Sequence, residues 1–197
     1  PQMNLFSGSV VIASNDDWEQ DENVALLPKF LKPTNNLDSV LVRTLMPGPY
    51  TAIVNGKSGG TGIGIVEVFE IDNTGVTRLQ NIATRGFVGT GDQVLIGGLV
   101  ITGTSNKTVV IRAKGPSLTA LGVDGAILDP QLILLSGLNV LDSNDNWQDH
   151  GRVDEIPVSL RPVEDKAAVI YADLAPGAYT AIVSGVGDTT GVGIVEV

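Results

Sequence analysis

The feature that most constrains this chain is an internal repeat. Residues 1–68 align with residues 130–197 without a gap at a constant offset of 129, and 31 of the 68 aligned positions are identical. Similarity at a fixed period is the sequence signature of a tandem array built from one structural unit. The chain therefore carries the 68-residue part twice, whereas the segment 82–129 between the two copies occurs once.

The repeat divides the chain into parts. Residues 1–72 are a partial repeat unit, residues 73–81 a connector, and residues 82–197 a complete unit whose lead strands at 82–129 precede the repeated segment 130–197. We therefore expect the chain to be a piece of a longer series that opens partway through a repeat. A first unit without lead strands would expose unpaired strand edges, which are templates for added strands. Two alternatives remain: a strand at 75–79 fills the gap, or the 68-residue part is a small closed sandwich.

Local patterns indicate an all-β protein. Residues 93–103 and 107–113 are β-branched runs separated by Thr-Ser-Asn, which predicts a hairpin. Prolines limit residues 19–32 and 148–161 to short helical turns. Because strands bounded by turns about every 8–12 residues are typical of sandwiches, we predict an antiparallel, jelly-roll-like β-sandwich in one and a half copies of a 129-residue tandem repeat. Further strands are predicted at 132–135, 169–173, 179–184 and 192–197.

Composition excludes several classes of function. The formal charge of −10, with 12 Lys and Arg against 22 Asp and Glu, argues against a nucleic-acid partner, because phosphate binding needs clustered cations. No apolar run approaches the ~18–20 residues of a membrane helix, so membrane insertion is not expected. The absence of cysteine excludes disulfide scaffolds, zinc–thiolate sites and thiol catalysis.

The pattern of reactive residues predicts that the chain is not an enzyme. Its only histidine, His150, has Asp21 as its counterpart in the first copy, so the two copies cannot share a Ser-His-Asp triad. The glycine-rich segment 56–62 lacks the glycine that a phosphate loop requires five positions before its Gly-Lys pair, and we predict a hairpin there. No cofactor is expected from these patterns.

Two acidic turns are the candidate metal sites. Each offers several hard oxygen ligands within a short stretch, and calcium takes about six to eight such ligands. Neither turn has the glycine and glutamate spacing of an EF-hand, so an Asx-rich structural turn is the favoured interpretation and calcium the alternative. The candidate calcium ligands are Asn15, Asp16, Asp17 and Asp21 in the first copy and Asn144, Asp145, Asn146 and Asp149 in the second.

Aromatic residues recur at matching positions in the two copies. Trp18 and Trp147 directly follow the acidic turns. Stacking on a glycan is one role for them, but an anchor in the core is favoured because other aromatic side chains are few. Tyr50 and Tyr179 open strands in which Tyr, Ala and Val share one face, which predicts equivalent core positions.

One acidic position is also shared by both copies. Glu67 and Glu196 lie in β-runs. One interpretation is that they face inward and are functional, but alternation along the strand lets each side chain point to solvent.

Several motifs carry a resemblance to known proteins. The strings NIATRGFVGTGDQVLIGGLVITG, VVIRAKGPSLTALGV, DSNDNWQD and LAPGAYTAIVSGVGDTTGVGIVEV resemble a repeat of large secreted bacterial proteins. The half with SNDNW, PGAYTAIVSG and GVGIVEV is more distantly similar to bacterial pre-peptidase C-terminal domains. The resemblance implies an exported, non-catalytic β-sandwich module. Lys114 departs from the repeat where an apolar residue is expected, a difference predicted to alter only surface charge.

These observations lead to two functional hypotheses. The first is a structural subunit of an extracellular bacterial filament or surface array, a homopolymer whose copies pair head to tail through β-strands, because repeat arrays build long objects from one unit. The second is a non-catalytic accessory module of a large secreted hydrolase or adhesin, which binds calcium or a glycan. Negative-stain microscopy distinguishes them, since the first predicts filaments and the second dispersed monomers.

Overall fold

The computed structural model describes residues 1–72 and 77–197, which form two compact units. Unit 1 is Pro1–Leu79 and unit 2 is Gln80–Val197. Residues 73–76 of the predicted connector, and with them the start of the strand expected at 75–79, lie outside the described residues. None of the helices in the described ranges has the length and apolar character needed to cross a membrane.

The described residues form eleven strands and one short α-helix. Unit 1 contains β1 Gln2–Ser7, β2 Val10–Asn15 and β3 Thr51–Asn55. Unit 2 contains β4 Ala83–Val88, β5 Leu95–Ile101, β6 Lys107–Lys114, α1 Pro116–Ala120, β7 Pro130–Ser136, β8 Asn139–Asn144, β9 Ala168–Leu174, β10 Gly177–Gly185 and β11 Gly191–Glu196.

The strands of unit 2 form two four-stranded antiparallel sheets, in the orders β5-β10-β7-β8 and β4-β11-β6-β9. Counted from the first strand of the unit, these orders are 2-7-4-5 and 1-8-3-6, the arrangement of a jelly roll. Both sheets contribute to one core, for example Leu132 and Val183 from the first and Ile111 and Ile170 from the second. The predicted antiparallel, jelly-roll-like β-sandwich is therefore confirmed in this unit.

Alternation along β10 explains how the sequence builds this core. Tyr179, Ala181 and Val183 are buried, whereas Thr180 and Ile182 on the opposite face are half-buried. Successive side chains of a strand point to opposite faces of its sheet, so the apolar set faces the other sheet. The same period of two was the basis for predicting this strand.

The connections include two corrections. β5 and β6 do not form the predicted hairpin, because they belong to different sheets and the turn between them carries the chain across the sandwich. The connection from β10 to β11, which matches the glycine-rich segment 56–62 in unit 1, also joins different sheets in unit 2. Turn residues specify a reversal of the chain, but burial of the apolar faces decides which strands then pair.

The helical turns follow the prediction more closely. Residues 18–31 and 147–160 each contain three short 3-10 turns, and a proline, Pro28 or Pro157, lies between the second and third turns, where it opposes a longer helix. The helix α1 is not among the predicted elements. It begins with Pro116 in the first helical turn, a position where proline is well tolerated.

Unit 1 contains a single three-stranded sheet among its described residues, in the order β2-β1-β3. Its strands are the counterparts of β8, β7 and β10. The counterparts of β9 and β11, residues 39–45 and 62–67, are not strands. In unit 2, β9 pairs with β6, and β11 pairs with β4 and β6. The partners β4 and β6 both belong to the lead segment. The alternative of a small closed sandwich is therefore wrong, because the second sheet needs lead strands.

Candidate functional site

Two buried asparagines show what the acidic turns do in the fold. The Asn15 amide donates to the carbonyl of Asp17 at 2.8 Å, and its oxygen accepts from the Val40 backbone at 3.0 Å. Asn144 makes the equivalent bonds, both at 2.8 Å, to the carbonyl of Asn146 and from the backbone of Val169. Each asparagine thus ties the turn after one strand to a segment 25 residues further along. This is the structural Asx-type role that the sequence favoured.

The position after each turn differs between the copies. In unit 1, the Asp21 carboxylate is 1% exposed and pairs with the Arg43 guanidinium at 2.8 Å. In unit 2 its counterpart is His150, whose Nδ1 accepts from the backbone of Arg152 at 3.2 Å. Nε2 of His150 lies 3.0 Å from the Asp142 carboxylate and can donate to it. Both ring nitrogens therefore have structural partners.

The other candidate calcium ligands of unit 1 do not converge. Asp16 pairs with Lys57, and a hydrogen bond from this ammonium lowers the pKa of Asp16. Asp17 accepts from the side chain of Gln20 at 2.9 Å. Across the described ranges, no group of three or more His, Asp or Glu side chains is arranged to hold a metal ion.

Unit 2 brings part of its candidate set together. Asn144, Asp145 and Asp149 line a shallow polar depression with Gln131 and Ser143. Asn146 contributes its backbone carbonyl to the Asn144 hydrogen bond described above. Calcium binding at this turn stays a prediction.

The tryptophans lie at the ends of equivalent hydrogen bonds. The backbone N–H of Trp18 donates to the backbone carbonyl of Asp38 at 2.8 Å, and that of Trp147 donates to the backbone carbonyl of Ala167 at 2.9 Å. Trp18 is 8% exposed and packs with Leu27 and other apolar residues in the core of unit 1. Its burial fits an anchor and leaves little of the ring to a sugar. Trp147 is half-buried, so the glycan hypothesis stays a prediction there.

An ion-pair cluster in unit 2 surrounds Glu196. Its carboxylate lies 2.6 Å from Arg112 and 2.8 Å from Lys114, and accepts from Asn81 at 2.8 Å. Burial alone would raise the pKa of Glu196, but the hydrogen bonds from Lys114 and Asn81, together with the two positive charges, outweigh it and lower this pKa. The carboxylate is therefore held in its charged form.

This cluster corrects two expectations. Alternation places Glu196 on the outward face of β11, yet the residue is only 9% exposed because long side chains from β6 cover it. Lys114 does more than alter surface charge, since it is one of the two cations that neutralise Glu196. All three partners of Glu196 precede residue 130, and so lie outside the repeated segment. Glu67, its counterpart, is exposed and makes no side-chain hydrogen bond or ion pair with a described residue.

Unit 1 exposes the strand edge that the lead segment covers in unit 2. β3 pairs only with β1, whereas its counterpart β10 lies between β7 and β5. Residues 62–67 have no strand partner among the described residues, whereas β11 lies between β4 and β6. Ile63 and Ile65 are 90% and 86% exposed, although their counterparts in unit 2 are half-buried. We call β3 and residues 62–67 together the acceptor edge.

The sequence carried a signal for this edge that is easy to miss. Tyr-Thr-Ala-Ile-Val and Gly-Ile-Val-Glu-Val patterns recur in both copies, so the same strands are specified twice. In unit 2 each of these strands has a partner in the lead segment, which occurs only once in residues 1–197. Only the structure reveals which strands of the lead segment those partners are.

No protein-family model and no curated protein matches the chain. Among solved structures, the pre-peptidase C-terminal domain of a collagenase from Bacillus anthracis is similar to it, with 13% sequence identity and a TM-score of 0.37. The match covers 58% of this chain and 86% of that one. This is the distant likeness that the motifs of the repeated segment predicted.

Proposed function

We propose that this chain is a structural subunit of an extracellular bacterial filament or surface array. Its copies join head to tail by β-strand pairing onto the acceptor edge. The observation that supports this is the contrast between the units: β10 and β11 are each paired on both sides in unit 2, whereas in unit 1 β3 is paired on one side only and residues 62–67 form no strand. An open strand edge is a template for pairing with another chain.

The sequence of the acceptor edge supports the proposal. Natural proteins protect exposed edges with charges, prolines or bulges, and β3 reads Thr-Ala-Ile-Val-Asn with none of these. A partner strand would gain main-chain hydrogen bonds from β3 and would cover Ile63 and Ile65. Because the partner surface differs from the acceptor edge, the contact is heterologous, the kind that builds closed rings or open filaments, and we propose the open filament.

The proposal assigns no catalytic role to the chain. The side chains singled out as reactive in the sequence serve the fold, with Asp21 bound to Arg43 and His150 bound to its own turn and to Asp142. Calcium or a glycan would be an accessory ligand in this proposal, and the protein's principal partner is a further copy of itself.

The oligomeric state tests the function. We expect the full chain to grow into filaments or large oligomers as its concentration rises, as measured by light scattering and negative-stain microscopy. Ile53→Lys should abolish growth, because a charge on an edge strand opposes pairing. Leu138→Lys is the matched control, since Leu138 is 98% exposed in a turn of unit 2. Dispersed monomers of the unaltered chain at all concentrations would favour the accessory module instead.

A further inference from the structure

The lead segment at 82–129 cannot complete both units at once. Residues 1–197 contain two repeated segments and one lead segment. If the lead segment of one copy filled unit 1 of the next, unit 2 of the donor would lose its own strands β4, β5 and β6. Head-to-tail assembly therefore needs a strand edge that unit 2 offers while it stays closed.

Unit 2 has such an edge on one side of its sandwich. β4 and β5 are each the terminal strand of their sheet, paired with β11 and β10 respectively on one side only. The two strands contact each other across the sandwich, so their outer edges open on the same side. We call these two outer edges the donor edge.

In unit 2, the strands of the donor edge already pair with two strands whose sequences β3 and residues 62–67 nearly repeat. β5 pairs with β10 in a register that sets Ile96 opposite Ile182, and β3 repeats the Thr-Ala-Ile-Val of β10. β4 pairs with β11, and residues 62–67 repeat β11 except that isoleucine replaces Val192. The acceptor edge thus presents the side chains that these two strands pack beside in unit 2.

The part of the donor edge that β5 forms is also unprotected. β5 reads Leu-Ile-Gly-Gly-Leu-Val-Ile, with no charge and no proline over seven residues. Its outward side chains Ile96 and Val100 are 54% and 72% exposed. A long, uncharged, apolar edge strand is the kind that pairs with another chain.

Two unpaired charges complement each other across the edges. Arg85 is exposed on the outward face of β4, and its guanidinium forms no hydrogen bond or ion pair with a described residue. Glu67 is likewise exposed and unpaired on the acceptor edge. If residues 62–67 extend beside β4 of another copy as β11 extends beside β4 in unit 2, the two side chains come to lie on the same face of neighbouring strands, where long side chains reach even diagonal positions.

We propose that the donor edge of one copy docks onto the acceptor edge of a second copy. β5 lies beside β3, β4 lies beside residues 62–67, and Arg85 pairs with Glu67. This inference rests on the proposed function and specifies the interface between two copies, which we call the joint. Each contact uses one donor edge and one acceptor edge, so the series keeps a free donor edge at one end and a free acceptor edge at the other, to which further copies can add.

Charge reversal tests the joint. Arg85→Glu or Glu67→Arg alone should raise the concentration required for assembly by about tenfold, because each sets like charges against each other. The double variant restores the pair with its sign reversed and should assemble like the unaltered chain. Lys107→Glu is the matched control, an exposed cation of unit 2 that changes charge by the same amount outside the donor edge.

Cross-linking provides a second readout that does not depend on charge. The chain has no cysteine, so single cysteines can be placed without background. Glu67→Cys copies mixed with Arg85→Cys copies should form dimers with a short bis-maleimide. Glu67→Cys copies mixed with Leu138→Cys copies should not.

The outcomes separate this joint from the function on which it rests. Assembly that both single reversals weaken and the double variant restores supports the joint, as does cross-linking confined to the 67/85 mixture. Assembly that neither reversal changes, without that cross-link, overturns the joint and leaves the filament proposal standing. Failure of the unaltered chain to assemble at any concentration overturns the proposed function, and the joint with it.

Discussion

Tyr50 and Tyr179 are the same residue in the same motif, yet only one of them reaches a core. Each phenol donates to a carbonyl four residues earlier, Met46 at 2.9 Å and Ala175 at 2.7 Å. Tyr179 is 9% exposed within the core of unit 2, whereas Tyr50 is half-buried. The prediction of equivalent core positions is right for Tyr179 and wrong for Tyr50, because only unit 2 has a second sheet to cover the ring.

This difference predicts unequal costs of truncation. Tyr179→Ala should destabilise unit 2 by about 3–5 kcal/mol, as for other large aromatic side chains removed from a core. Tyr50→Ala should destabilise unit 1 by only about 1 kcal/mol. Chemical denaturation followed by tryptophan fluorescence measures both, with Trp147 reporting on unit 2 and Trp18 on unit 1. Equal midpoint shifts would contradict the assignment of Tyr179 to the core.

The Glu196 cluster predicts a dependence of stability on pH. Because the folded state lowers the pKa of Glu196 below its ordinary value of 4.5, this group stabilises unit 2 above that pH, and the contribution is lost as the pH falls through the folded pKa. Glu196→Gln should reduce the free energy of unfolding at pH 7 by about 1–3 kcal/mol. It should also make this free energy decrease less steeply as the pH is lowered. Asp154→Asn, at an exposed position, is the control. An unchanged acid profile in Glu196→Gln would show that other carboxylates govern it.

At the scale of elements, the contact between β5 and β11 depends on one glycine. A Cβ added at Gly97 would lie 2.9 Å from Cγ2 of Val195 in the opposite sheet, whereas one added at Gly98 would meet nothing closer than 4.0 Å. The two adjacent glycines therefore have different roles. Gly97 lets the sheets approach each other, and Gly98 points to the outward face.

Alanine at each position tests this distinction. Gly97→Ala should destabilise unit 2 by about 1–3 kcal/mol, because an overpacked core forces side chains or backbone to shift. Gly98→Ala should leave the free energy of unfolding unchanged within about 0.5 kcal/mol. Thermal denaturation of the two variants compares them directly, and an equal loss in both would indicate that the backbone entropy of glycine is the dominant effect.

At the scale of the whole molecule, the two units have cores of very different size. The buried core of unit 1 consists of Trp18, Leu27 and Val42, whereas that of unit 2 has thirteen buried residues drawn from both sheets. Since hydrophobic stabilisation grows with buried apolar area, unit 1 should be much the weaker.

We therefore expect the units to unfold separately in the unassembled chain. Trp18 should report a transition at low denaturant and Trp147 one at high denaturant, each seen in a variant in which the other tryptophan is replaced by phenylalanine. Assembly through the acceptor edge should raise the first transition, because a partner that binds only the folded state stabilises it by mass action. A single coincident transition in the monomer would contradict this independence.

Calcium binding at the acidic turns would change the thermal stability of a whole unit. Binding to the folded state would raise the melting temperature in excess calcium above that in excess chelator. We expect any shift to belong to the transition of unit 2, where Asn144, Asp145 and Asp149 line one depression. Equal melting temperatures under the two conditions would eliminate the calcium prediction and leave the asparagines with their structural role alone.

The repeat, the all-β class and the faces of individual strands could all be predicted from the sequence. These features follow from local chemistry, since alternation along Tyr179, Ala181 and Val183 depends only on neighbouring residues. Strand pairing and exposure were decided by the tertiary structure. β5 and β6 separate into two sheets, Glu196 is buried under cations from β6, and residues 62–67, which nearly repeat β11, form no strand in unit 1. The reason is physical: a strand edge or a carboxylate is satisfied by groups far away in the chain, and the 68-residue part, although present twice, cannot form its second sheet where the strands of the lead segment are not beside it.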